Sequence, residues 1–157
     1  MTDATPEDFV DFLRCLASEA CDFVIVGAHA LAVHGAPRAT GDLDVLVRAS
    51  EENAVRVISA LRRFGAPLVS HGITAVDFQV PGVVYQMGLP PRRIDVLTQI
   101  SGVSFDEAII DSVEGTLGDV TVRCIGLEAM LANKLAAGRA KDLADAEVLQ
   151  QLRDRGR

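Results

Sequence analysis

Along the chain, apolar residues recur first at helical spacing and then in short β-branched runs, and the two rhythms alternate. Thr5-Pro6-Glu7-Asp8 reads as a helix start, with Thr5 as N-cap, Pro6 in the first helical position and two acids in the first turn. Phe9, Phe12, Leu13 and Leu16 keep one face, and this helix ends near Ala20. Residues 22–26 form an apolar run closed by Gly27, which predicts a buried strand. The Ala-rich stretch 28–34 suits a short helix, broken by Gly35-Ala36-Pro37. A second strand is predicted over 43–47. Ser50 then caps a long amphipathic helix that turns Val55, Ile58, Leu61 and Phe64 to the core and stops at Gly65-Ala66-Pro67. The middle is β-rich: residues 74–80, 83–87 and 93–98 predict strands, separated by Gly82 and Leu89-Pro90-Pro91. Residues 105–111 predict a short helix, 120–125 another strand, and 127–137 and 141–153 two C-terminal helices. This order implies an α/β (α+β) two-layer fold, a mixed sheet with helices mainly on one face. We divide the single domain, 1–157, into an N-terminal helix (1–21), a sheet core (22–126) and C-terminal helices (127–157).

Composition narrows this picture. A chain of 157 residues buries a real core without disulfides or structural metal. Aromatics make up only 4% and Trp is absent, so Val, Leu, Ile and Ala must fill that core. A net charge of −7 argues against extended nucleic-acid binding, which needs a basic face, but leaves room for a local basic pocket. Cys15, Cys21 and Cys124 are odd in number and lack CxxC spacing, so no disulfide framework or zinc site is implied and a reducing cytoplasm fits. The acidic, polar N-terminus is not a signal peptide, and the apolar run at 23–26 is too short to span a membrane.

Candidate chemistry concentrates in Gly41-Asp42-Leu43-Asp44-Val45. On a strand, residues two apart share a face, so Asp42 and Asp44 point together while Leu43 and Val45 point to the core. Two adjacent carboxylates repel, and one must take up a proton unless a cation joins them. Mg²⁺ or Mn²⁺ suits such oxygen ligands together with substrate phosphates. Asp95, flanked by Ile94 and Val96, is a third acid in an apolar strand, and three acids on two strands suffice for metal-assisted phosphoryl chemistry. Asp95 is then the candidate to accept or orient the proton of an attacking hydroxyl. An Asp-x-Asp is also compatible with a plain solvent-facing alternation, so the preceding segment matters. There, Val26-Gly27-Ala28 closes a strand and opens a helix, a turn that lets backbone amides approach a phosphate.

The combination of Val26-Gly27-Ala28, a gap over 29–41, Asp42-Leu43-Asp44 and the later Ile94-Asp95-Val96 resembles the DNA polymerase beta-type nucleotidyltransferase superfamily. The stretches VGAHALAVHGAPRATGDLDVLV and NKLAAGRAKDLADAEVL are similar to minimal prokaryotic members of the abortive-infection toxin type and to antitoxin-associated domains, and the likeness runs from Phe9 to Leu149. It implies metal-dependent transfer of a nucleoside monophosphate from an NTP to a hydroxyl of a protein, RNA or small molecule. It equally leaves open a catalytically weak, nucleotide-binding partner in a toxin–antitoxin pair, because the family's usual Gly or Ser stands here as Ala28 and no hydroxyl reaches the phosphate. Gly27, Ala28, His29, Arg38, Thr40 and Lys134 are the expected nucleotide contacts, with Lys134 favoured over Lys141, which reads as a surface residue. His34 reads as packing or capping. Asp142 and Asp145 suit the first turn of the last helix and a pairing with Lys141 or Arg139, and Arg92 and Arg93 either flank an acceptor site or solubilise a strand edge.

Overall fold

Leu16 and its neighbours at helical spacing bury one whole side of the first helix. The computed structural model describes residues 5–36 and 41–156. In it α1 (Glu7–Ser18) encloses Phe9, Phe12, Leu13 and Leu16 completely. Each such side chain contributes roughly 1.5–3 kcal/mol by leaving water. Pro6, not Thr5, is the N-cap, and the Thr5 hydroxyl instead accepts the Gly118 N–H at 3.3 Å. Short elements follow in quick order: β1 (Phe23–Val26), α2 (Gly27–Val33) and β2 (Leu43–Val47). In α3 (Glu51–Phe64), Ser50 accepts the Asn53 N–H as expected of an N-cap, and Gly65 closes the helix in the left-handed conformation. The core face of α3 is Ala54, Val57, Ile58, Ala60 and Leu61; Val55, expected inside, is 59% exposed.

Beyond α3 lie α4 (Leu68–His71), β3 (Val84–Met87), β4 (Ile94–Leu97), α5 (Phe105–Ile110), β5 (Val113–Leu117), β6 (Val120–Cys124), α6 (Leu127–Ala137) and α7 (Ala140–Arg155). The strand expected at 74–80 is a 3-10 turn over Ala75–Gln79. Its cause is local: Thr74 and Asp77 form a capping box, in which the Thr74 N–H donates to Asp77 at 2.8 Å. Such side-chain bonds compete with a sheet ladder. Only Phe78 of that segment is fully buried. Strand β5, absent from the sequence reading, forms a hairpin with β6 across Gly118-Asp119, and α4 is likewise an addition.

The six strands make one mixed sheet in the order β3-β4-β2-β1-β6-β5. β1 runs antiparallel to β2 and parallel to β6, while β2 runs parallel to β4. Helix α1 packs on α3 and β6, α2 on β1 and β2, and α6 on α7. His34 donates to the Ile125 carbonyl at 2.7 Å, the packing role expected of it, and so ties α2 to the end of β6. The three cysteines are free thiols. Burial pushes the half-buried Cys21 thiol up to about 12 and the core thiol of Cys124 up to about 11, so both stay protonated. No helix among the described residues is long and apolar enough to cross a membrane.

Candidate active site

Register creates the site. Asp44 stands opposite Asp95 in the parallel β2–β4 ladder, and opposite Val26 in the antiparallel β1–β2 ladder. The last residue of β1 therefore delivers Gly27 directly onto the Asp44 side chain. Gly27 has φ +71, and a Cβ there would collide with the Asp44 carboxylate. This turn needs glycine for both its conformation and its close approach. Gly41 is equally constrained, since a Cβ would strike the carbonyl of Pro91. That approach brings Asp42 beside the start of β4, where its Oδ1 accepts the Arg93 N–H at 3.1 Å.

Asp95 is buried and Asp44 half-buried. Burial, and next the charge of Asp95, push the Asp44 carboxyl from the usual range up to about 7, with Asp42 adding to the rise and Arg93 opposing it. Asp44 and Asp95 stand within hydrogen-bonding reach, which helps hold the proton on Asp44. Asp95 also holds a cation of the chain itself: Arg93 donates through Nε to Oδ1 at 2.7 Å and through Nη2 to Oδ2 at 3.2 Å. Arg93, expected to flank an acceptor or solubilise an edge, lines the cleft and clamps the acids directly. Among the described residues, no three carboxylate, imidazole or thiolate groups form a ready-made metal cage. The donor chemistry nevertheless fits a hard divalent cation, because clustered carboxylates that must borrow a proton and a guanidinium for charge balance gain from one.

These acids form one wall of a cleft of about 1200 Å³. Gly27 and Ala28 line it beside Asp42, Asp44, Arg93 and Asp95, and the facing wall carries Lys134, Arg139 and Lys141 from α6 and the start of α7. Lys141, read from sequence as a surface residue, is exposed and also lines the cleft. Lys134 is 8% exposed, with its Nζ 3.1 Å from Asp145 and 3.5 Å from Asp142. Arg139 binds Asp142 at 2.6 Å, and this contact with the guanidinium holds the Asp142 carboxyl below its usual range. The pairing expected of the two acids thus holds for Arg139 with Asp142, while Lys134 takes the place expected for Lys141.

His29 is brought to the site but not into it. Its ring packs edge-on against Phe9 at 5.7 Å and hydrogen-bonds the Gly41 backbone, so it braces the segment that carries Asp42. Burial lowers its pKa and keeps the imidazole neutral. Arg38 and Thr40 lie outside the described residues. Arg139 was missed as a lining residue and Arg93 as a partner of the acids, although each stands two or three positions from an acid it binds; that spacing was the available signal.

Known proteins agree with this architecture. The lincosamide antibiotic adenylyltransferase LnuA, in its lincomycin-bound crystal structure, superposes with a TM-score of 0.52 at 13% identity, covering 96% of this chain and 99% of that one. A Thermotoga maritima protein described as a nucleotidyltransferase superposes with a TM-score of 0.53 at 13% identity, covering 94% of each chain. At such identities the likeness establishes the fold. No curated protein matches in sequence. The model of the family described as "Nucleotidyl transferase AbiEii toxin, Type IV TA system" matches residues 11–156. The chain belongs to that family, and its enzyme class is nucleotidyltransferase.

Proposed function

We propose that the chain transfers a nucleoside monophosphate from an NTP to a hydroxyl, using Asp42, Asp44 and Asp95 to hold Mg²⁺ or Mn²⁺. The observation that carries this reading is the register pair of Asp44 and Asp95, two carboxylates set side by side against the Gly27 turn. A bound divalent cation supplies charge neutralisation at the phosphates and a more acidic attacking hydroxyl. The chain's own residues do the rest. Backbone at Gly27 and Ala28 abuts the phosphates, and Lys134, Arg139 and Lys141 set a positive wall opposite the acids. Asp95 orients the acceptor hydroxyl and takes its proton. The hydroxyl oxygen bonds to the α-phosphorus as the bond to the pyrophosphate oxygen breaks. Arg38 and Thr40 remain proposed contacts from the segment just before Asp42. His29 supports the site from behind, as the brace of Gly41.

The acceptor we propose is a hydroxyl of RNA, protein or a small molecule. LnuA, an adenylyltransferase of lincosamide antibiotics, illustrates the last class on a similar fold. The family's description favours a second element of the reading, a cognate antitoxin encoded alongside. Ala28 keeps open a weakly active, nucleotide-binding form within such a pair. Residues 1–157 act as one domain in the cytoplasm.

The test is calorimetry with ATP, GTP, CTP and UTP, with and without Mg²⁺, on wild type and on Asp44→Ala. Metal-dependent binding of one NTP, absent from a well-folded Asp44→Ala, is the expected result, and transfer should fall by roughly a thousandfold or more. Undiminished transfer by that variant would sink the assignment.

A further inference from the structure

The acids of the cleft already have a cation, and it is part of the chain. Both oxygens of Asp95 are engaged by Arg93, at 2.7 Å and 3.2 Å. The same Nη2 stands 3.5 Å from Oδ2 of Asp42, so one guanidinium spans two of the three carboxylates. Its fork geometry matches carboxylate and phosphate equally well. A guanidinium cannot be deprotonated at working pH, so it makes room only by moving. The Arg93 side chain faces the cleft and is 27% exposed, and among the described residues its side-chain hydrogen bonds go to Asp95. A second cation at the same oxygens would meet a like charge at contact distance.

We propose that Arg93 is an internal counter-ion that closes the metal site of the nucleotide-free chain and passes to the phosphates when the site loads. The inference rests on the metal-site reading above. Its consequence is a coupling: a divalent cation alone competes with Arg93 and binds weakly, whereas a cation arriving with a polyphosphate offers Arg93 a new anion and binds well. Arg93 is a positioning residue in the empty state and a phosphate ligand in the loaded one.

The experiment is a titration with Mn²⁺, read by the paramagnetic resonance signal of the free ion. It is run on wild type, Arg93→Gln and Arg93→Lys, with and without inorganic tripolyphosphate as a base-free stand-in for the nucleotide. Folding of each variant is checked by its melting curve. Arg93→Gln should bind Mn²⁺ alone at least about tenfold more tightly than wild type, and should lose most of the tightening that tripolyphosphate gives wild type. Arg93→Lys, which keeps the charge but not the fork, should shift in the same direction by less, and carries the test if Arg93→Gln does not fold. A residue of merely structural importance would weaken Mn²⁺ binding when replaced. Equal or weaker binding of Mn²⁺ by the folded variant overturns the inference while wild-type binding leaves the metal site standing. Absence of Mn²⁺ binding from all three proteins under every condition overturns both.

Discussion

Asp44 lies two positions from Asp42 on the chain but faces Asp95 across the ladder, and its chemistry follows from the second neighbour. Its carboxyl titrates near 7 in the folded chain, against about 3.8 for an ordinary aspartate. Between those values the folded chain keeps a proton that the unfolded chain has released. The group's contribution to stability is therefore full below about pH 4 and is lost as pH rises through about 7. Metal-free wild type should melt progressively lower than Asp44→Asn as pH rises from about 5 to about 8. Added Mg²⁺ should raise the wild-type melting temperature more at pH 8 than at pH 6, because proton and cation compete for one oxygen pair. Parallel melting curves for the two proteins across this range would show that Asp44 holds no such proton. Gly27 is the other residue whose identity is forced. Gly27→Ala places a methyl group against Asp44 in a left-handed conformation that costs L-residues about 1–2 kcal/mol, so thermal melting should drop and metal-dependent nucleotide binding should vanish together.

At the scale of elements, the cleft is the gap between a sheet and a pair of helices. The acids come from β2 with the residue before it and from β4, strands whose pairing joins positions about fifty residues apart, and the cations come from α6, α7 and the N-cap of α7. Those helices are fastened by Lys134, Asp142 and Asp145, all buried. Two carboxylates and an amine removed from water stabilise only as a set, and loss of one member strands the others. Lys134→Ala should thus cost about 3–5 kcal/mol, measured as a shift of the denaturant midpoint, whatever its effect on nucleotide. Lys134→Met combined with Asp142→Asn and Asp145→Asn should recover much of that loss. A single variant as stable as wild type would show the amine free to serve the phosphates without a structural duty. The 3-10 turn at Ala75–Gln79 shows the opposite balance, in which one local capping box overrides β-branched composition.

The whole molecule carries a net charge of −7, yet gathers Arg93, Lys134, Arg139 and Lys141 around one cleft. The same cleft also holds Asp42, Asp44, Asp95 and Asp142, so these cations are balanced by acids, and their sign shows locally rather than as a long-range field. The ladder also interleaves the chain: β1 from the N-terminal third pairs with β6, and α1 packs on both α3 and β6. An N-terminal helix, a sheet core and C-terminal helices bound in this way should unfold together. Far-ultraviolet circular dichroism and the fluorescence of Tyr85 should give coincident denaturant transitions. Separate transitions would divide the chain into independent units.

Local chemistry was legible in the order of residues. The alternation at 42–47 set Asp44 apart from the core residues Leu43 and Val45, the Val26-Gly27 turn marked the strand end, and Ser50 and Gly65 bounded α3, because each of these depends on neighbours within a turn or two. The Gly118-Asp119 hairpin was equally readable and was overlooked. Tertiary structure decided which groups meet. Nothing in the chain order puts Asp95 opposite Asp44, hands Arg93 to Asp42, turns His29 toward Phe9, or sinks Lys134 between two aspartates. Those facts follow from strand pairing and helix packing over long separations. Burial and proximity created there change what a carboxylate or an amine does, and these energies belong to the folded chain alone.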